Sequence, residues 1–243
     1  MRIAVIADIH GNSQALDAVL VDLDEQSIDA TVSLGDNVGY GPEPERVVRT
    51  LIARNIISVC GNHELALTHD GYFRLLNPTC RHSLALTKEL LSAASREWLA
   101  ELPPVLVRDT IRFLHGCPPA SPTEYLFEPS PPRLRRIFAS YPEPLCFAGH
   151  THLLNHFALS PAGDLSTTPL AIGCTSLNAG CRHLLVCGSV GQPRDDQDNR
   201  AKYGIWDDER SCLEVRAVAY DVETTVRLLH LKGFPEINAR RLH

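Results

Sequence analysis

The chain has 243 residues, 44% of them hydrophobic and 21% charged, the composition of a globular protein with room for one large α/β domain and not for two full ones. A net charge of −6 and a pI near 6.0 give no basic face for duplex nucleic acid. No apolar run approaches the roughly eighteen residues that would span a bilayer. The eight cysteines contain no C-x-x-C pair and several fall inside apolar runs, the pattern of buried, reduced thiols in a cytoplasmic protein.

In chain order, RIAVI is a short apolar run with the length of a buried strand, and it is followed by Asp8 and His10. A strand beginning at the first residues argues against a cleaved signal peptide. Asn12 or Ser13 then caps a predicted helix whose stripe Ala15, Leu16, Val19, Leu20 and Leu23 faces a sheet. The free N–H groups at that helix start make Asn12 a candidate substrate contact as well as a cap. TVSLGD delivers Asp36, and a second helix is predicted from Pro44 with Val47, Val48, Leu51 and Ile52 toward the same sheet.

ISVCGNH delivers Asn62 and His63. From about 65 to 103 no strand signal occurs, and SLALTKELLSAASREWLAELP predicts one long helix stopped by Pro103-Pro104, in a position to roof a site. IRFLH delivers His115. The proline-rich stretch from Cys117 to Pro144 carries a short predicted helix near Arg133 to Tyr141 and is a rim candidate. LCFAGHTH delivers His150 and His152. Beyond it, His156–Leu159 with Leu165–Thr168 and Tyr203–Trp206 with Leu213–Val218 predict antiparallel hairpins. The segment Gly188 to Arg200 is expected to be an exposed loop, from which Arg194 could reach a substrate anion. A final helix from about Asp221 to Lys232 closes at Gly233.

Open α/β sheets bind ligands outside the carboxyl ends of their strands, so five strand ends bearing polar residues predict one convergent site. Asp8, His10, Asp36, Asn62, His115, His150 and His152 offer carboxylate, amide and imidazole donors and no thiolate. That set suits Mn, Fe, Ni, Co or Zn in an open five- or six-coordinate site rather than a cysteine-built zinc site. Seven groups exceed the needs of one ion and fit two ions sharing a carboxylate, an arrangement that clamps phosphoryl groups. Two divalent cations against two carboxylates leave positive charge for an anionic substrate. The remaining histidines, His69, His82, His156, His183, His230 and His243, read as core or surface residues.

Motif by motif, the chain resembles the calcineurin-like metallophosphoesterases. Asp8-Ile9-His10 resembles D-x-H, Gly35-Asp36 the start of GDxxD, Gly61-Asn62-His63-Glu64 the GNH[DE] motif, His115-Gly116 the lone downstream His, and Gly149-His150-Thr151-His152 the GHxH motif. The match covers roughly residues 1–155. Gly39-Tyr40-Gly41-Pro42 and Gly188-Ser189-Val190-Gly191-Gln192-Pro193-Arg194 resemble its YfcE-like bacterial and archaeal branch. Asp36 is followed by Asn37-Val38-Gly39, so the second Asp and the Arg of the longer motif are absent, unlike in the protein Ser/Thr phosphatases.

The resemblance implies an α/β fold, a four-layer αββα sandwich of two mixed β-sheets flanked by helices, formed by residues 1–243 as one domain with a helical excursion. The alternation along the chain divides it into a mostly parallel first sheet and a hairpin-built second one. Asp8, His10 and His152 would hold one metal, Asn62, His115 and His150 the other, and Asp36 would bridge them. His63 would act at the leaving-group oxygen. The implied activity is hydrolysis of small phosphodiesters, or phosphomonoesters, by a hydroxide bridging two divalent ions, with Mn preferred. Alternatives are a nucleotide or dinucleoside polyphosphate hydrolase and a non-catalytic scaffold of the same fold. The expected partner is a small phosphate ester, with no duplex nucleic acid and no membrane, and a homo-oligomer is left open.

Overall fold

The computed structural model describes residues 1–194 and 198–243. The chain opens with β1 (Arg2–Ile6), α1 (Ser13–Asp24), β2 (Ala30–Ser33), α2 (Pro44–Ala53) and β3 (Ile57–Ser58). Four helices follow, α3 (Asn62–Thr68), α4 (Asp70–Leu75), α5 (Pro78–Leu90) and α6 (Ala93–Ala100), and then β4 (Val105–Arg108), β5 (Ile111–Leu114), α7 (Pro131–Ala139) and β6 (Leu145–Ala148). The last third comprises β7 (Leu154–Leu159), β8 (Leu165–Pro169), β9 (Gly173–Ser176), β10 (Arg182–Cys187), β11 (Ala201–Asp207), β12 (Cys212–Val218), α8 (Val222–Leu231) and α9 (Glu236–Arg240).

The strands form two six-stranded sheets, one in the order β3-β2-β1-β11-β12-β9 and the other β4-β5-β6-β10-β7-β8. Period-two alternation sorts each strand's side chains between two layers. Ile3 and Val5 of β1, Phe113 of β5, Phe147 of β6 and Leu213 of β12 point inward to a common core between the sheets. Ala4 and Ile6 point outward onto Leu16, Val19, Val47 and Leu51 of α1 and α2. On the far side, Cys146 and Ala148 meet Leu134, Ile137 and Phe138 of α7. The result is the expected αββα sandwich. At its centre Phe113 and Phe147 stack from adjacent strands, ring centroids 5.6 Å apart.

The division of strands differs from the expectation of one parallel and one hairpin sheet. β1, β2 and β3 are parallel, but β1 also pairs antiparallel with β11, whose hairpin partner β12 carries on the same sheet. In the second sheet β5, β6 and β10 are parallel and the β7–β8 hairpin extends it. Each hairpin therefore completes a different sheet. The physical reason is that β1 and β6 need a neighbour on both edges, and the late strands supply it.

Three local expectations are also corrected. The long helix predicted to end at Pro103 is two helices, because Ser92 leaves the helix and its side chain caps the N–H of Ser95. Ile52 faces solvent at 46% exposure, although Val47, Val48 and Leu51 are buried as expected. Gly188 to Pro193 is buried rather than exposed; of that expected loop, residues 195–197 lie outside the described residues. The α8 prediction holds, with Asp221 as N-cap and Gly233 in the left-handed region at φ 71°.

Candidate metal centre

β1, β2, β3, β5 and β6 all deliver their C-terminal continuations to one end of the sandwich. All seven proposed ligands meet there. Asp8, His10 and His152 bring ligand atoms within 4.8 Å of one another, and so do Asp36, His115 and His150. Asn62 joins the second group, its Oδ1 3.1 Å from His115 Nε2. Asp36 Oδ2 stands between the groups, 3.3 Å from His115 Nε2 and 3.8 Å from His10 Nε2.

Sharp reversals are needed to turn side chains inward right after a strand. Asp8, His10, Asp36, His150 and His152 accordingly adopt left-handed backbone, with φ of 54°, 52°, 50°, 68° and 61°. Each costs a non-glycine residue on the order of 1 kcal/mol, so neighbouring loops must hold it. Asp8 N–H donates to Gly35 O at 3.1 Å, His10 N–H to Asp36 O at 2.8 Å and Gly149 N–H to His115 O at 2.7 Å. The strand-end loops thus fasten one another.

The four imidazoles are oriented from behind. His10 Nδ1 lies 3.3 Å from Val38 O, His115 Nδ1 2.9 Å from Leu34 O, His152 Nδ1 2.5 Å from Gln192 O, and His150 Nε2 3.3 Å from Thr123 O. A carbonyl only accepts, so each of these nitrogens carries the ring proton, and the opposite nitrogen turns a lone pair inward. Those lone pairs face each other closely: His10 Nε2 and His152 Nε2 are 3.2 Å apart, and His115 Nε2 and His150 Nδ1 3.0 Å. His152 Nε2 is also 3.3 Å from Asp8 Oδ1. Acceptors crowded this way in a buried site are satisfied by cations. The donor set fits two divalent ions, one beside Asp8, His10 and His152, the other beside Asn62, His115 and His150, with Asp36 able to reach both.

The electrostatics agree with that fit. Burial and the charge of His63 push His10 well below the ordinary imidazole range, and burial with His115 pushes His150 down to about 3; both rings are neutral. His115 is the exception to the inward lone pairs: burial opposes its protonation, but Asp36 beside it holds it up to about 9, so at neutral pH a proton occupies its inward Nε2, where a cation would displace it. Burial likewise opposes ionisation of Asp8 and Asp36, and their histidine neighbours, His152 for the first and His115 for the second, outweigh it and keep both carboxylates charged.

His63 lies at the same centre, its Nε2 3.9 Å from Asp36 Oδ2. Asn12 does not face it with a free amide. Its Oδ1 accepts the Ala15 N–H at 3.1 Å and its Nδ2 donates to Gly191 O at 3.0 Å, so both ends of the amide are spent on capping α1 and holding the 188–193 segment. That segment packs tightly, since a Cβ on Gly191 would fall 1.8 Å from Ile9 O. Arg194 follows it, half-buried, its guanidinium donating to Gln192 Oε1 at 2.8 Å. Its charge is near enough to help keep His10 neutral.

Several further residues at the site have roles that no spacing in the sequence signals. Glu64, fully buried, accepts N–H bonds from Gly61, Asp36, Asn37 and Val38 at 2.8, 2.9, 2.8 and 3.3 Å. Tyr125 stacks on His150 with centroids 3.7 Å apart. Tyr40 and Cys80 flank His63. Glu64 and Tyr40 fall in segments with recognisable motifs, Gly61-Asn62-His63-Glu64 and Gly39-Tyr40-Gly41-Pro42, and neither motif discloses what the side chain touches. Burial raises the Cys60 and Cys117 thiols, Cys117 to about 11.

The model of the calcineurin-like phosphoesterase family matches residues 1–154. An uncharacterised protein of Methanocaldococcus jannaschii is 33% identical over 246 residues, covering 99% of this chain and 96% of its own length. The crystal structure of a metallophosphoesterase from Sphaerobacter thermophilus superposes with a TM-score of 0.84 at 32% identity, covering 100% of this chain and 98% of that one. A hypothetical protein from Pyrococcus horikoshii OT3 shares the fold, with a TM-score of 0.79 at 22% identity and coverage of 100% and 97%.

Proposed function

The chain belongs to the calcineurin-like phosphoesterase family, and from that membership and the site's geometry we propose that it hydrolyses small phosphodiesters, or phosphomonoesters, with two divalent cations, preferably manganese. The observation that carries the reading is the set of four imidazoles tied from behind to backbone carbonyls, with their lone pairs converging on Asp8 and Asp36. Two cations held there would supply Lewis acidity toward water and the phosphoryl oxygens. The remaining work falls to the chain. Asp36 sets the spacing of the two halves. His63, at the same centre, is placed to donate a proton to the leaving oxygen, help typically worth about 10²–10⁴-fold in rate. Arg194 at the edge of the site attracts the anionic substrate.

Completeness separates this reading from a non-catalytic scaffold: all seven ligands and His63 converge, an arrangement a scaffold does not need. A hydrolase of nucleotides or dinucleoside polyphosphates would use the same chemistry and differ only in what binds beside it. The test is elemental analysis of dialysed protein and variants, with a panel of phosphomono-, di- and cyclic nucleotide esters assayed after manganese loading. Two ions per chain are expected in the unmodified protein. Asp36→Asn should lower both, whereas Asn62→Ala or His115→Ala should chiefly empty one position. One ion or none under metal-replete conditions defeats the two-metal reading, and a panel that is inert throughout defeats the enzyme.

A further inference from the structure

His63 is 2% exposed, and its two ring nitrogens have unlike surroundings. Nδ1 is buried and has no hydrogen-bond partner among the described residues. It is pressed onto the backbone of Gly39, where a Cβ would fall 1.9 Å from it, and Gly39 itself has a φ of 87°. No side chain at position 39 can therefore reach round the ring to hold Nδ1. Nε2 points the other way, 3.8 Å from Cys80 Sγ. A proton on Nδ1 finds no acceptor there, so the hydrogen bond that orients the ring is the one at Nε2, between that nitrogen and the sulfur.

Cys80 is itself fixed. It lies in the first turn of α5, buried, and its own N–H donates to the capping Asn77 Oδ1 at 2.9 Å. Tyr40 flanks the pair, its ring meeting the His63 ring edge-on at 4.5 Å. Tyr40 is tied down in turn, its carbonyl accepting from Asn238 Nδ2 at 2.8 Å.

We propose that Cys80 is the positioning residue for His63: its sulfur, 3.8 Å from Nε2, holds the ring so that its Nε2 edge, 3.9 Å from Asp36 Oδ2, stays at the metal centre. This rests on the reading of His63 as the imidazole at the leaving oxygen. No bond to sulfur is made or broken. The sulfur accepts the Nε2–H hydrogen bond in the resting protein and yields that donor to the substrate's leaving oxygen.

The test uses full-length, manganese-loaded protein and compares Cys80→Ala, Cys80→Ser, His63→Ala and the His63→Ala/Cys80→Ala double variant on an alkyl and a nitrophenyl phosphodiester. Cys80→Ala should keep both metals and lose about tenfold or more in kcat on the alkyl ester, with KM within about twofold. The nitrophenyl ester, whose leaving oxygen hardly needs a proton, should be little affected. Cys80→Ser, with a hydroxyl able to accept the same bond, should recover most of the loss. In the His63→Ala background, Cys80→Ala should cost nothing further. Equal losses on both esters, or the same loss without His63, overturn the proposal. A second readout needs no turnover: nitrogen NMR of the zinc-loaded protein should show His63 protonated at Nε2, with that signal displaced in Cys80→Ala and largely restored in Cys80→Ser. A ring protonated at Nδ1 alone, with Nε2 bare, in the unmodified protein overturns the proposal. An inert ester panel with the Nε2 signal still dependent on Cys80 supports the contact and counts against the phosphoesterase reading.

Discussion

Glu64 binds no metal in this arrangement, yet it holds two ligand loops at once. Its carboxylate receives the N–H groups of Asp36, Asn37 and Val38 from one loop and of Gly61 from the other. Replacing it with Gln leaves one acceptor oxygen and turns an NH₂ toward N–H groups that can only donate. Glu64→Gln should therefore destabilise the fold by about 3 kcal/mol, at about 1–3 kcal/mol per buried donor left unpaired. It should also loosen metal at the Asp36 and Asn62 positions. Urea denaturation of the metal-free variant checks the first part, and an unchanged midpoint would contradict it. The contrast with the seven ligands is instructive. Metal chemistry restricts residue types, so Asp, Asn and His at strand ends are visible in the sequence. Glu64, Gln192 and Leu34 act by way of backbone N–H or C=O groups, which every residue possesses, and Cys80 reaches His63 from a separate helix. No spacing rule announces such roles.

At the level of elements, α1 is fastened to the sheet beneath it by more than its apolar stripe. Asp22 near its end accepts from Tyr203 Oη on β11 at 2.6 Å and from Arg216 Nε and Nη2 on β12, both at 2.7 Å. The Arg216 hydrogen bonds, with the Tyr203 hydroxyl, hold the Asp22 carboxyl below the usual carboxylate range despite its partial burial. A depressed carboxyl contributes stability that is present above its unfolded pKa and lost as pH falls through its folded value. Asp22→Asn should thus cost about 1–2 kcal/mol at pH 7, and the gap from the unmodified protein should close as pH drops below about 4. Urea midpoints of the two proteins at pH 7 and pH 3 test this; a gap that persists undiminished in acid refutes the ionic account. Elements with a strong periodic signal, α1, α2 and the two hairpins, were legible beforehand. The α5–α6 break was not, because the apolar rhythm of LALTKELL runs on past Ser92 and one serine cap decides the matter only once tertiary packing favours it. The buried 188–193 segment was equally opaque: glycine and glutamine suggest solvent, but here small residues are needed for backbone to lie on backbone beside Ile9.

Across the whole molecule, the two sheets place every ligand-bearing loop at one end of the sandwich and leave an acidic exterior. With a net charge of −6, the expected affinity for duplex DNA is negligible at about 150 mM salt, since such binding grows with the number of phosphates neutralised. Sub-micromolar binding with a steep salt slope, measured by fluorescence anisotropy, would point instead to a polymeric substrate. Among the described residues no helix is long and apolar enough to cross a membrane.

The pairing of β1 with β11 has a consequence for how the protein comes into being. β1 lies between β2 and β11, register running from Arg2 opposite Asp207 to Val5 opposite Gly204, and β6 likewise waits for β10. During synthesis the first strand, which carries Asp8 and His10, stays open along one edge until residues beyond 200 have left the ribosome. The family-matched stretch, 1–154, contains every proposed ligand and still lacks one neighbour of each of its two central strands, β11 beside β1 and β10 beside β6. A chain ending at residue 154 should be insoluble or lack cooperative unfolding, despite holding the complete donor set. Soluble, cooperatively melting 1–154 protein by circular dichroism would show the opposite. A ribosome-bound nascent chain should remain incompetent to bind metal until its last quarter emerges, so the ligands that are made first become a site last.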